Sequence, residues 1–474
     1  MKEKKRILKI DDVEKLNSIE IRDLYSKYVN TKQSELFYKL SYGKQILSSA
    51  EGMYIFTKDN QKILDFTGGI GVLNLGHNHP RILKTRIDFQ NKKKLEVNKL
   101  YFSPYTAVLA NNLANILPGN LEKSFFTNSG AEAVEGALKI AYKFHDGERN
   151  IVLHSNISFH GNLIGSGSIS GRSEYKENFP VLNNTDSFKY GDIKSVEEKI
   201  LKHTINNQCK IYALIIEPFH AASLSNCSKE FLINLQKICK KNKIILIFDE
   251  VYVGWGKTGS IFYFMRYDEV IPDILTTSKS FGGGKSSISA YITSDDVFQK
   301  AYGTANDAFL HSTTYNGFGE ECATAIEAIN IIIEEDYPNK AKKIEKLISF
   351  HLNELKKTFP KQVLEIKGQG ALFGIILHND LSLIEKLLKN IPIKFVKDKK
   401  SLIIKLPYIA LIDYLYSKFK ILTHITPNYE IFLITPSLVV NEKEINYFFD
   451  SLNQCFKKGM KKIIFEFIVK YLKN

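Results

Sequence analysis

The chain has 474 residues, 44% of them hydrophobic and 24% charged, with a net charge of +14. That is more chain than one small domain uses, and enough apolar material for a sizeable core, so two or three lobes are expected. The basic balance does not mark a nucleic-acid binder: there are seven arginines against 58 lysines, and none of the arginines follows Arg266. Arginine is the residue suited to bidentate recognition of phosphates and bases, and the lysines here are spread along helical stretches as solvated faces are.

Cys209, Cys227, Cys239, Cys322 and Cys455 form no CxxC pair and no metal-like spacing, which fits a reducing cytoplasm. The opening Met-Lys-Glu-Lys-Lys-Arg is charged but no apolar run of signal-peptide quality follows it. No segment approaches the roughly 18 apolar residues a membrane span needs. A cytoplasmic protein with no membrane span, no nucleic-acid partner and no metal is expected.

Residues 1–45 read as polar and helical. Met53-Tyr-Ile-Phe-Thr and Ile63-Leu-Asp-Phe, separated by Lys58-Asp-Asn-Gln, predict a hairpin. The glycines of Gly68-Gly-Ile-Gly-Val-Leu-Asn-Leu-Gly-His-Asn-His-Pro80 partly imitate a dinucleotide fingerprint, but they are misspaced. From 121 to 300 strands and helices alternate. Strands are expected at Ser124–Thr127, Ile151–His154, Tyr212–Ile216, Ile244–Phe248, Ile274–Thr277 and Ala290–Ile292, with helices at 131–145, 194–203 and 229–241. That alternation predicts a mostly parallel sheet wrapped by helices. One long helical stretch over 319–358 leads to a C-terminal lobe with strands at Gly370–Leu377 and Glu430–Ile434. Residues 456–474 alternate lysines with apolar residues at helical spacing and predict a terminal helix packed on the body, the alternative being a membrane-surface or partner helix.

Several apolar strands end in a single chemically active residue. Ile-Leu-Ile-Phe ends in Asp249, Ile274-Leu-Thr-Thr leads through Ser278 to Lys279 and Phe281-Gly-Gly-Gly, and Tyr212–Ile216 ends in Glu217-Pro. Open α/β sheets bind ligands at the carboxyl ends of their strands. A lone lysine and a lone aspartate at that rim can serve pyridoxal 5'-phosphate (PLP), the lysine as its Schiff-base partner and the aspartate by keeping the pyridine nitrogen protonated. Thr127-Asn-Ser129-Gly130-Ala131 opens a helix after a strand, which suits a phosphate cradle or, more simply, a helix cap. Ser158-Phe159-His160-Gly161 offers an aromatic for a planar ring, or a packed core phenylalanine. His311-Ser-Thr313-Thr314-Tyr315 offers hydroxyls to a phosphate or to the cap of the next helix. Gly284-Lys285-Ser286 fails as a P-loop, because Lys279 stands where that motif needs its first glycine.

Taken in order, Ser-Gly-Ala-Glu-Ala-Val-Glu, Phe-His-Gly, Glu-Pro, Phe-Asp-Glu-Val with Gly-Trp-Gly-Lys-Thr-Gly, Thr-Ser-Lys-Ser-Phe-Gly-Gly-Gly and His-Ser-Thr-Thr-Tyr resemble the class-III PLP-dependent aminotransferases, the ornithine, acetylornithine, 4-aminobutyrate and putrescine aminotransferase group. Leu64-Asp-Phe, Gly76-His-Asn-His-Pro and Thr435-Pro-Ser-Leu-Val-Val extend the resemblance over about 36–452. It implies an α/β protein of PLP-dependent transferase fold type I, aspartate-aminotransferase-like, with a mostly parallel large domain and a smaller α/β domain. Residues 1–95 would complete the small domain, 96–335 would form the large PLP-binding domain, and 336–474 the C-terminal small domain with its terminal helix. The implied activity is ping-pong transfer of an amino group between an amine or amino-acid donor and a 2-oxo acid or aldehyde, in a homodimer with shared active sites.

Position by position, the resemblance makes Lys279 and Asp249 the catalytic pair. Ser129, Gly130 and Ala131 would hold the phosphate, Phe159 would stack on the ring with His160 beside it, and Tyr252 would sit near the phenolic oxygen. Thr314 would reach the phosphate of the neighbouring subunit. Glu217, Asn162 and Thr313 would line the substrate side.

Two departures bear on the substrate. Amino-acid-specific relatives carry Phe-His-Gly-Arg, and here that arginine is Asn162; they carry a second arginine before Pro-Pro-Leu, and here it is Leu433. A hydrophobe does not replace bidentate arginine recognition of a carboxylate. The donor is then an amine without an α-carboxylate, or a lysine, Arg172 or Arg266 binds the carboxylate instead. The segment Asn379–Thr426, longer than in simpler relatives, is expected to shape the entrance. The same pair also serves aminomutases, epimerases and decarboxylases, and a non-catalytic relative is the remaining alternative.

Overall fold

The computed structural model describes residues 7–96, 100–171, 173–378, 399–426 and 428–473. Its central sheet has seven strands in the order Leu121–Thr127, Ser289–Ser294, Ile274–Thr277, Ile245–Asp249, Ile211–Ile216, Ile151–Ser155 and Thr185–Phe188. Ser289–Ser294 runs antiparallel to both of its neighbours, and the remaining pairs are parallel. Six strands therefore point their carboxyl ends at one rim, and the reversed strand brings its amino end, Ser289, to the same place. The middle strands Ile211–Ile216 and Ile245–Asp249 are buried throughout, which is why they read as unbroken apolar runs.

The strands and helices expected between 121 and 300 are present, with ends that differ by no more than three residues, whereas the terminal helix starts at Met460 because 456–458 close the preceding helix Glu442–Lys458. Edge strand Thr185–Phe188 was not legible, since Thr-Asp-Ser-Phe shows neither an apolar run nor alternation; pairing with Ile151–Ser155 makes it a strand. The single helix expected over 319–358 is two helices, Gly319–Glu334 and Tyr337–Thr358. Asp336 breaks it: its backbone is left-handed at φ +47°, and its side chain caps the second helix by accepting from Asn339 N. Pro338 reinforces the break, because proline in a first helical turn lacks only a donor the helix would not use.

The hairpin Tyr54–Thr57 and Lys62–Asp65 forms, and Lys62–Asp65 also pairs in parallel with Ile421–Leu422. Val363–Gln369, Leu372–Leu377, Phe432–Ile434 and His424–Ile425 make a further four-stranded sheet. The terminal helix Met460–Lys473 buries Ile463, Ile464, Phe467 and Ile468, as expected of a helix packed on the body. Residues 379–398 of the long Asn379–Thr426 segment lie outside the described residues, as does Arg172. Among the described residues no helix is long and apolar enough to cross a membrane.

Candidate active site

A cavity of about 820 Å³ opens over the carboxyl rim of the central sheet. Asp249, Glu217 and Lys279 line it from three adjacent parallel strands, and Phe159 and His160 reach it from the turn after a fourth. Asp249 pairs in register with Thr276, so the turn carrying Lys279 starts beside it.

That turn is held rigidly. Lys279 has a left-handed φ of +51°, a conformation costly for a side-chain-bearing residue and kept only where the surroundings dictate it. Ser280 Oγ donates to Gly71 O at 2.7 Å. Phe281 stacks on Trp255 with centroids 5.1 Å apart, and Trp255 Nε1 donates to Thr277 Oγ1 at 2.9 Å. Lys279 Nζ lies 4.5 Å from the centroid of the Tyr252 ring. Burial lowers the lysine pKa, while Asp249 and Glu217 oppose the shift.

Both oxygens of Asp249 are oriented: Oδ1 accepts from Val251 N at 3.0 Å, and Oδ2 lies 2.7 Å from His160 Nδ1. Glu217 Oε1 accepts from Phe159 N at 2.8 Å. Its pKa is raised well above the carboxylate range by burial and then by the charge of Asp249, which favours a protonated, uncharged Glu217.

At the other end of the cavity the helix Gly130–Phe144 begins. Ser129 and Glu132 form a capping box: Ser129 Oγ accepts from Glu132 N, and Glu132 Oε2 accepts from Asn128 N and Ser129 N, both at 2.9 Å. The box leaves the first two helical N–H groups, those of Gly130 and Ala131, for an anion drawn by the helix dipole. A Cβ at Gly130 would lie 2.9 Å from Val251 Cγ1, so only glycine fits beside that wall.

These residues suit PLP on observed geometry: an anion cradle, an aromatic at Phe159, an oriented carboxylate at Asp249 and a buried amine at Lys279 share one cavity. Ser129, Gly130, Ala131, Asn162 and Tyr252 line it as well. Thr313 and Thr314 do not; their loop lies elsewhere on the surface, with His311 Nδ1 held 3.0 Å from Lys139 Nζ.

The class-III aminotransferase family model matches residues 39–456. The chain belongs to that family. Its members are PLP enzymes, and this chain has their fold type I architecture. It is 32% identical over 358 residues, 74% of its own length, to aminotransferase PigE of a Serratia species, and the match spans only 40% of that longer protein. Among solved structures it resembles adenosylmethionine-8-amino-7-oxononanoate aminotransferase from Methanocaldococcus jannaschii, with a TM-score of 0.79, 24% identity and coverage of 92% of this chain and 98% of the other. It also resembles ornithine aminotransferase from Toxoplasma gondii, with a TM-score of 0.77, 21% identity and coverage of 96% and 100%.

Sequence reasoning missed two polar side chains here. His424 lines the cavity from a two-residue strand. Lys257 is fully buried behind it, donating to Asn74 Oδ1 at 3.0 Å. Lys257 was visible inside Gly-Trp-Gly-Lys-Thr-Gly, but nothing local announced its burial; His424 had no signal at all.

Proposed function

We propose that this chain is a PLP-dependent aminotransferase acting by two half-reactions on an amine donor and an oxo-acid or aldehyde acceptor. The convergence of Lys279, Asp249 and the open N-terminus of helix Gly130–Phe144 on one cavity carries the reading. When bound, PLP supplies an aldehyde that links to amines and a ring that stores an electron pair. Lys279 Nζ would hold the cofactor and would serve as the base that takes a proton from the donor's amine-bearing carbon. Its lowered pKa keeps more of it as free base than an exposed lysine would have. Asp249, aimed by His160 and Val251 N, would keep the pyridine nitrogen protonated. Gly130 and Ala131 beside Ser129 would hold the phosphate, Phe159 would offer its aromatic side chain to the ring, and the Tyr252 hydroxyl would serve the phenolic oxygen. Glu217 and Asn162 border the donor.

No arginine lines the cavity among the described residues; Asn162 and Leu433 stand at the family's arginine positions. Arg266 is committed elsewhere, with Nη2 donating to Thr258 O at 3.0 Å and its guanidinium over the Tyr263 ring. The donor is therefore read as an amine without a carboxylate at that end. The proposed assembly is a cytoplasmic homodimer in which Thr313 and Thr314 serve the partner's site. Exposed apolar side chains at Leu100, Phe102 and Phe309 support a covered face. Residues 1–95 and 336–474 are read as one small domain around 96–335, a division supported by the pairing of Ile421–Leu422 with Lys62–Asp65.

The test is a donor panel of simple ω-amines, putrescine, ornithine, 4-aminobutyrate and glutamate, read from the cofactor's half-reaction spectrum. Simple amines should give the pyridoxamine form and a carbonyl product. Efficient turnover of ornithine or 4-aminobutyrate would sink the carboxylate-free donor. Decarboxylated, epimerised or rearranged product without the pyridoxamine form would sink transamination itself. Borohydride should fix the cofactor to Lys279, as read by peptide mass, and Lys279→Ala should abolish that adduct.

A further inference from the structure

Lys279 Nζ stands over an aromatic ring. It lies 4.5 Å from the centroid of Tyr252, and both side chains line the cavity. Among the described residues Nζ has no hydrogen-bond or ion-pair partner, so the ring is what it meets. Gly71 fixes the two against each other. Its carbonyl accepts from Ser280 Oγ at 2.7 Å, which ties down the turn that carries Lys279. A Cβ on Gly71 would stand 3.1–3.2 Å from Cζ, Cε1 and Cε2 of Tyr252, so the ring packs directly on that glycine. The left-handed backbone of Lys279, at φ +51°, sets the direction from which its side chain leaves the turn.

The charges around Nζ leave the ring a task of its own. Burial lowers the lysine pKa, and Asp249 and then Glu217 oppose that shift. Lys257 and Lys279 repel one another when both carry a proton. Asp249 is already engaged by Val251 N and His160 Nδ1, and burial favours the uncharged acid at Glu217. Burial also raises the pKa of the Tyr252 hydroxyl, so that ring stays neutral. The face of a neutral aromatic ring carries partial negative charge and attracts an ammonium, most strongly where water is excluded.

Resting on the aminotransferase reading, we propose that Tyr252 is a positioning residue for Lys279: its ring face holds Nζ in the cavity and stabilises the ammonium formed when the lysine acts as a base. The proton goes to the Nζ lone pair, and the electron pair of the broken C–H bond stays with the cofactor. This role belongs to the ring face, apart from any contact of the hydroxyl. An aliphatic side chain would offer burial without the attraction, whereas phenylalanine would keep it.

The experiment measures the basicity of Lys279 in the full chain freed of cofactor. Trace acetic anhydride reacts with lysines as free amines. Labelling of Lys279 across a pH series, read by peptide mass against exposed lysines of the same digest, gives its pKa. Tyr252→Leu and Tyr252→Met should each lower that pKa by about 0.5–1.5 pH units, the worth of one desolvated cation–ring contact. Tyr252→Phe should leave it at the parent value. In the holoenzyme, with an amine that reacts, the acid limb of the kcat profile should move down by a similar interval in the aliphatic variants and stay in place in Tyr252→Phe. An unchanged or raised Lys279 pKa in the aliphatic variants would overturn the proposal. So would an equal fall in Tyr252→Phe, which assigns the effect to the hydroxyl. A lower rate with no movement of the acid limb, the mark of a purely structural role, would overturn it as well. Failure of every amine in the parent counts against the aminotransferase reading instead, and the labelling then decides the role of Tyr252 alone.

Discussion

His160 Nδ1 lies 2.7 Å from Asp249 Oδ2, and both side chains are closed to solvent. With Val251 N on Oδ1, the carboxylate is fixed from two sides and keeps lone pairs for the pyridine nitrogen. On the proposed reading, His160 would act as a positioning residue for Asp249, more than as a direct ligand of the ring. His160→Ala removes a hydrogen bond to a buried charged group, worth about 1.5–3 kcal/mol. The expected result is a loss of about 10–100-fold in kcat/KM together with faster loss of PLP on gel filtration, and His160→Asn should recover part of both. Wild-type rate and cofactor retention in His160→Ala would show that Val251 N alone suffices.

Gly130 tests the anion cradle. The side chain nearest to it is that of Val251, and a methyl group placed on Gly130 would stand 2.9 Å from Val251 Cγ1. Gly130→Ala should therefore push the helix start away from the wall and misaim the Gly130 and Ala131 N–H groups. Overpacking of this kind costs about 1–3 kcal/mol. A lower melting temperature should accompany a weaker PLP Kd. Pairing the change with Val251→Ala should restore much of the affinity; no rescue would mean that the cradle is not what the methyl disturbs.

The proposed catalytic pair, Lys279 and Asp249, was legible because its signal is local. Fully buried strands read as apolar runs, so a single Asp249, Glu217 or Lys279 at their ends stands out. Asp336 was also within reach, since Asp-Tyr-Pro is a capping sequence, but the strong apolar periodicity on both sides concealed the break. His424 and Lys257 were beyond reach for a different reason. Their surroundings are made by residues far away in the chain: Asp65 comes near His424 through the pairing of Ile421–Leu422 with Lys62–Asp65, and Asn74 meets Lys257 where its Nδ2 donates to Trp255 O.

The terminal helix gives a contrast between packing and surface binding. Ile463 is 1% exposed, whereas Lys462 on the same turn is exposed. Ile463→Ala should destabilise the protein by about 2–5 kcal/mol, and Lys462→Glu should change stability by no more than about 0.5 kcal/mol. Urea unfolding measures both. Were the helix instead a membrane-surface element, Ile463→Ala would leave the urea midpoint in place and weaken binding to anionic vesicles.

Lys257 makes stability depend on pH with a sign that can be checked. Burial lowers its pKa to about 7, with Asp65 opposing and Lys279 adding to the shift. In the unfolded chain a lysine titrates near 10.4. Below about 7 both states hold the proton, and this residue contributes no slope. Between about 7 and 10.4 the unfolded chain holds it and the folded chain does not, so stability rises with pH, by at most about 1.4 kcal/mol per unit. Lys257→Met removes that rise. The difference in unfolding free energy between parent and variant should therefore grow in the parent's favour from pH 7 to pH 9, measured by urea titration at each pH. A difference that stays constant over that interval would mean that Lys257 keeps its proton in the folded protein, paired with Asp65 across the buried cluster.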